Sequence, residues 1–259
     1  MRTIYYSHTM QPLKFVRRIV SLATARLASF ITRVWRKEPF NYSPEEWRQM
    51  RVSFADSAED LVVWDLLKRI PGSERGIYVD AGAFDPILMS NTLLLHKHGW
   101  HGVNIDANPG TIEHFNRLRP EDRNICSALS DVEETFFYLE YAGGTGNRIA
   151  AAESDETSLC GDKPLRKSLI CTRTLNQILR EQYPAGCAID FLSIDCEGHD
   201  FRVLQGLDLG RFRPRIICFE STWIASGEGG MSHYLADKGY TCHAQLPSNS
   251  IYIDNQRPF

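Results

Sequence analysis

From about residue 76 onward, short apolar and β-branched runs alternate with segments whose apolar positions recur every three to four residues. Such runs, bounded by Gly, Pro, Asn and Asp, read as buried strands, and the periodic segments between them as amphipathic helices. The pattern predicts strands over about 76–80, 101–106, 123–128, 189–194 and 215–220. It predicts helices over about 87–98, 110–118, 174–181, 200–206 and 230–238. Thr135 to Leu139 and Leu169 to Cys171 read as further extended pieces, and Tyr240 to Gln245 with Ser250 to Asp254 as a closing strand pair. Alternation of this kind predicts an α/β fold with a doubly wound, mostly parallel sheet. Residues 141–166 are glycine-rich and polar without a period, which is the pattern of a lid or binding loop.

Upstream the pattern changes. Leu13 to Trp35 places Val16, Val20, Ala23, Leu27, Phe30, Ile31 and Val34 on one helical face, with Lys14, Arg18, Arg26, Arg33 and Arg36 crowding the other. A basic amphipathic helix of this kind packs on its own domain or a partner, or lies on an anionic membrane surface. Residues 38–56 read as a linker containing Pro39 and Pro44, although Ser43-Pro44-Glu45-Glu46 carries a helix-start signature. Asp56 to Ile70 reads as a helix stopped by Pro71-Gly72. The expected organisation is a basic helical extension over 1–37, a linker over 38–56 and one catalytic-type domain over 57–259.

The formal net charge of −3 hides an asymmetry. Residues 1–37 carry eight basic side chains and no acid, so the remainder holds 21 basic against 32 acidic residues. That balance argues against nucleic-acid binding by the main domain. Residues 13–37 remain a candidate contact with an anionic membrane. Seven scattered cysteines with no CxxC pair argue against a zinc knuckle or a disulfide framework. Cys126, Cys171 and Cys218 read as small core residues. No apolar run is long enough to span a bilayer, and the start is a poor signal peptide. The expected location is cytoplasmic, with peripheral attachment to a membrane open.

The candidate chemistry sits at strand ends, where open α/β sheets bind ligands. Asp80-Ala81-Gly82-Ala83 ends the first strand with one glycine and no GxGxxG, which disfavours a pyrophosphate cofactor and suits one without phosphate. Asp106 ends the second strand, where a carboxylate accepts both hydroxyls of a ribose. Ser130-Asp131 follows the third strand, where an adenine edge would lie. Asp195-Cys196-Glu197-Gly198-His199 ends the fourth and Glu220 the fifth. Asp195, Glu197 and Glu220 together could hold a divalent metal, bind sugar hydroxyls or supply a base, and His199 is a further candidate base. Asp85, Ser90 and Asn91, at the opening of the first helix, are candidate acceptor contacts. His96, His98 and His101 read as solvated or packing residues.

Four segments together resemble the FkbM-type S-adenosylmethionine-dependent methyltransferases: Val79-Asp80-Ala81-Gly82-Ala83, Asn104-Ile105-Asp106-Ala107-Asn108-Pro109, Ala128-Leu129-Ser130-Asp131 and Asp190 through Asp200. The resemblance covers roughly residues 60–254 and excludes the basic extension. It implies a Rossmann-like class I methyltransferase sheet of seven strands with the last reversed. It implies S-adenosylmethionine as cofactor and O-methylation of a sugar, glycan, lipid-linked saccharide or related metabolite. By position, Asp80 to Ala83 would hold the methionine end of the cofactor, Asp106 and Ala107 the ribose side, and Ser130-Asp131 the adenine. Asp195 to His199 would face the methyl group and acceptor. Phe84-Asp85-Pro86 departs from the family, where many members carry a small or polar residue with glycine two positions on. The competing reading is a catalytically inactive methyltransferase-like module for membrane-associated interaction or trafficking. A nucleotide-sugar transferase or dehydrogenase should want phosphate-binding glycines that are missing here.

Overall fold

The computed structural model describes residues 42–70, 75–151, 163–221 and 229–257. The predicted helix over Leu13–Trp35 lies outside them. The described residues before Ser53, 42–52, belong to a separate unit, in which α1 (Pro44–Gln49) starts on a capping box. Ser43 Oγ accepts from the Glu46 amide, and the Glu46 carboxylate accepts from the Ser43 amide. The linker expected over 38–56 thus contains one short helix.

The unit from Ser53 onward is built on a seven-stranded sheet. Its strands are β1 (Ile77–Ala81), β2 (His101–Asp106), β3 (Arg123–Cys126), β8 (Phe191–Ile194), β9 (Ile216–Glu220), β10 (Tyr240–Gln245) and β11 (Asn249–Asp254). The order is β10-β11-β9-β8-β1-β2-β3. β9, β8, β1, β2 and β3 are parallel, and β11 runs antiparallel to both β9 and β10. This is the expected class I sheet with its last strand reversed.

Residue alternation along the strands makes both faces apolar. Val79, Leu192, Ile217 and Phe219 join one core with Leu175, Ile178 and Leu179 of α5 (Leu175–Gln182), Val203 and Leu204 of α6 (Asp200–Gln205) and Leu235 of α7 (Gly229–Asp237). Tyr78, Phe191, Ile216 and Cys218, their neighbours in sequence, face the other way. There they meet Val63, Leu66 and Leu67 of α2 (Glu59–Leu67) and Leu95 of α3 (Leu93–Lys97). The sheet is therefore doubly wound. The remaining helix, α4 (Pro109–Leu118), is capped by Asn108, whose Oδ1 accepts from the Gly110 amide.

Three local expectations are corrected. The helix expected over 87–98 forms only at Leu93–Lys97. Ser90 Oγ takes the Leu93 amide, and Met89 is left-handed at φ 52°. The strand expected over 123–128 breaks at Ser127, whose amide bonds to the Asp106 carbonyl. Beyond the break, β4 (Ala128–Ser130) leaves for a second sheet of order β4-β7-β5-β6. That sheet contains β5 (Thr135–Glu140), β6 (Arg148–Ala150), which lies within the expected loop, and β7 (Arg166–Thr174). Finally, Cys218 is a buried core residue, but Cys126 and Cys171 are exposed. Cys126 ends the edge strand β3, and Cys171 lies on an open face of β7. The six described cysteines are free thiols.

Candidate active site

A cavity of about 460 Å3 opens at the carboxyl ends of β1, β2 and β8, within the size range of small-ligand sites. Gly82 sets its floor. The residue is left-handed at φ 82°, and a Cβ there would stand 1.7 Å from the carbonyl oxygen of Asp195. Only glycine lets the β1 and β8 ends approach this closely. The Gly82 amide bonds to the Ile105 carbonyl and the Asp195 amide to the Ala81 carbonyl, so three strand ends are tied at one point. Asp80, Gly82, Ala83, Asp106 and Ala107 line the cavity; Ala81 is fully buried in the core instead.

Asp106 fastens the next turn. One carboxylate oxygen accepts from the Phe84 amide at 3.1 Å and the other from the Asn108 amide at 2.7 Å. Phe84 sits at φ 48°, a conformation that a glycine would adopt more cheaply. The departure Phe84-Asp85-Pro86 is held in place by its neighbours. Asp85 Oδ1 accepts from the Ile87 and Leu88 amides, and its other oxygen meets His114 Nδ1 at 3.3 Å. Asp85, Ser90 and Asn91 all line the cavity. Asn91 donates to Ser193 Oγ on β8.

Arg119 was not singled out by any sequence signal. Its side chain is fully buried. Nη1 donates to Thr92 Oγ1 at 2.9 Å, and Nη2 donates to Ser90 Oγ at 2.8 Å and to the Pro86 carbonyl. Thr92 Oγ1 in turn donates to Asp80 Oδ2 at 2.7 Å. One guanidinium thus stiffens the 86–92 segment and lends positive charge to Asp80 through Thr92. Replacing Arg119 by Met is expected to lower stability by about 3 kcal/mol, because three buried acceptors lose a charged donor. Urea unfolding checks this; a loss below about 1 kcal/mol would show that the guanidinium does not hold the segment.

The acids crowd one another. Burial, then the charges of Glu220 and Asp80, push Asp195 up to about 7. Burial, then Asp195 and Glu220, push Glu197 up to about 8, against the pull of Arg148. Burial pushes Asp106 up to about 6 and raises Asp80. Glu197 is left-handed at φ 51°, a strain typical of functional positions. Asp200 shapes this turn from below: its two oxygens accept from the Cys196 and Glu220 amides, joining the β8 and β9 ends. Asp195, Glu197 and His199 line the cavity; Glu220 does not, and acts on Asp195 and Glu197 through its charge.

Ser130 and Asp131 stand behind the wall. Ser127, Ala128 and Leu129 line the cavity instead. Ser130 Oγ bonds His199 Nε2 at 2.9 Å, and Asp131 pairs with Arg202 at 3.0 Å. The break at Ser127 moves both residues out of line. Burial and then Arg202 push His199 down to about 4, so its imidazole is neutral near pH 7. From the second sheet and its loop, Tyr138, Gly143, Gly144, Thr145, Asn147, Arg148 and Ile149 complete the wall, all but Tyr138 within the stretch 141–166. Asp195, Glu197 and Glu220 do not form a metal-ligand group. Among the described residues that arrangement occurs at His96, His101 and Asp122, away from the cavity.

The cavity suits a cationic nucleoside without phosphate. Four raised carboxyls, Asp80, Asp106, Asp195 and Glu197, line one space, and such crowding is relieved by a ligand carrying positive charge. S-adenosylmethionine, with its sulfonium and ammonium, meets that condition. Asp80, Gly82, Ala83 and Asp106 are the residues that would hold it.

No curated protein matches this sequence. Among solved structures, the METTL16 MTase domain aligns with a TM-score of 0.42 at 12% identity, covering 76% of this chain and 66% of its own. A SAM-dependent methyltransferase from Agrobacterium tumefaciens aligns with a TM-score of 0.34 at 10% identity, covering 75% and 61%. The chain thus spans less than two thirds of each of these structures. The family described as "Methyltransferase FkbM domain" matches residues 80–242, well over half of the chain and every strand end of the cavity. The chain therefore belongs to the FkbM methyltransferase family, whose cofactor is S-adenosylmethionine.

Proposed function

We propose that the protein is an S-adenosylmethionine-dependent O-methyltransferase acting on a hydroxyl of a saccharide or saccharide-bearing metabolite, with Glu197 as the base. The observation that carries this reading is Glu197 itself: strained, on the cavity wall and pushed up to about 8. When bound, S-adenosylmethionine supplies a methyl group on a sulfonium that is already strongly electrophilic. What the chain must add is position and a proton acceptor. A sugar hydroxyl is a weak nucleophile near neutral pH, and a carboxylate whose pKa lies near working pH is a well-matched base. Glu197 would take the hydroxyl proton on its carboxylate. Asp195 and Glu220 keep its pKa high, and Arg148 limits the rise. Asp85, Ser90 and Asn91 offer polar atoms for the acceptor's other hydroxyls. Holding the acceptor oxygen in line with the methyl group contributes on the order of 7–11 kcal/mol in well-oriented reactions.

The test is transfer of isotope-labelled methyl from S-adenosylmethionine to a panel of free sugars, glycolipids and polyketide glycosides, with amines as controls. Label in an alkali-stable ether of a saccharide supports the reading; label confined to amines overturns it. Asp106→Ala is expected to weaken the cofactor roughly 10–100-fold, the loss of hydrogen bonds to a charged acceptor. Wild-type affinity in that variant would remove Asp106 from the ribose assignment. A membrane-peripheral placement through residues 13–37 is part of the proposal, supported by the charge asymmetry. Among the described residues no helix is long and apolar enough to cross a membrane.

A further inference from the structure

We infer that His96, His101 and Asp122 form a binding site for a zinc-like divalent cation, which clips the α3–β2 connection to the turn after α4. His96 lies in the last turn of α3, His101 opens β2, and Asp122 lies between α4 and β3. Each offers one ligand atom, and these atoms all lie within 4.8 Å of one another. Around a tetrahedral zinc with bonds of about 2.0–2.1 Å, ligand atoms stand roughly 3.4 Å apart. His96 Nδ1 and Asp122 Oδ2 are already 3.6 Å apart. Two imidazoles and one carboxylate favour zinc over the hard, all-oxygen chemistry of magnesium or calcium. His101 is exposed, so the open side of the site faces water.

The carboxylate is built in. The Asp122 side chain has no solvent exposure. Oδ1 accepts from the Gly102 amide at 2.9 Å, and Oδ2 accepts from Asn104 Nδ2 at 3.0 Å and from the Tyr78 hydroxyl. Supporting hydrogen bonds of this kind orient the ligands of metal sites. All three donors are neutral, and among the described residues the basic side chain within ion-pair distance is the His96 imidazole, whose Nδ1 also lies 3.4 Å from the Tyr78 hydroxyl. A buried charge held by neutral groups leaves room for a cation. By contrast His98, expected as solvated or packing, packs: its ring stacks on Trp64 with centroids 3.9 Å apart. The site sits at the amino end of β2, whose far end carries Asp106 about 16 Å away at the usual strand rise. A metal here would brace the fold and leave the cavity's chemistry to the acids.

The test uses full-length protein freed of metal by chelator dialysis, titrated with ZnCl2 by calorimetry and with CoCl2 by visible absorption. One equivalent of zinc binding at micromolar affinity or tighter is expected, with an intense cobalt band from a tetrahedral site. His101→Ala and His96→Gln should each weaken zinc at least tenfold while leaving S-adenosylmethionine affinity unchanged. Asp122→Asn disturbs the Tyr78 and Asn104 hydrogen bonds, so the histidine variants decide. No zinc uptake by the wild type overturns the proposal. So does equal uptake in His101→Ala, which would place the metal away from this site.

Discussion

Gly82→Ala is expected to abolish cofactor binding and to destabilise the fold by about 2–5 kcal/mol. The left-handed backbone at φ 82° costs an L side chain about 1–2 kcal/mol. The new Cβ would also stand 1.7 Å from the Asp195 carbonyl oxygen and 2.6 Å from its carbon. Both are backbone atoms, so no rotamer change relieves the clash, and overpacking of this kind costs about 1–3 kcal/mol more. The relief available is to spread the β1 and β8 ends. That moves Asp195, and through the Gly82–Ile105 bond it moves the end of β2 that carries Asp106. The unfolding midpoint in urea and calorimetric affinity for S-adenosylmethionine read the two effects separately. A folded variant with affinity within threefold of wild type would show that the cavity does not depend on this approach.

The second large effect is at Glu197. Glu197→Gln is expected to lower kcat by about 10²–10⁴, the usual contribution of a positioned base, with little change in the KM for the cofactor. In the wild type the rate should rise with pH through about 8, because the carboxyl must lose its proton to act. The variant should lose that limb. Stability should move the opposite way. Raised carboxyls stabilise the fold below their unfolded values near 4, and that stabilisation fades as pH rises through the folded values. For Asp106, Asp195 and Glu197 those values are about 6, 7 and 8. Removing the Glu197 charge should therefore raise the Tm at pH 8.5 and leave it nearly unchanged at pH 5. A variant that keeps more than a tenth of kcat, with the wild-type pH profile, would disqualify Glu197 as the base.

The sheet was readable because its strands are short apolar runs that end in acids or glycine. Asp80, Gly82, Asp106, Asp195 and Glu197 could be named from such ends, and the structure brings all five to one cavity. Features set by tertiary contacts were not readable. The run 123–128 looks continuous, yet it changes sheets at Ser127 because the Ser127 amide bonds to Asp106 and β4 pairs with β7. That change carries Ser130 and Asp131 behind the wall. Ile87-Leu88-Met89 has helical composition, but Asp85 and Arg119 pin it as a loop. Arg119 closes a helix with no motif around it; the Ser90-x-Thr92 pair that receives it was the available hint. His96 and His101 lie 20 or more residues from Asp122, so spacing alone could not join them.

The central claim is that a phosphate-free, cationic nucleoside fills the acid-lined cavity. The most direct test is calorimetric titration of the full-length protein with S-adenosylmethionine and S-adenosylhomocysteine, using NAD and a nucleotide sugar as controls. The account predicts micromolar binding of the first two alone, weakened at least tenfold in Asp106→Ala. Binding of NAD or the nucleotide sugar instead, or of none of the four, would contradict it.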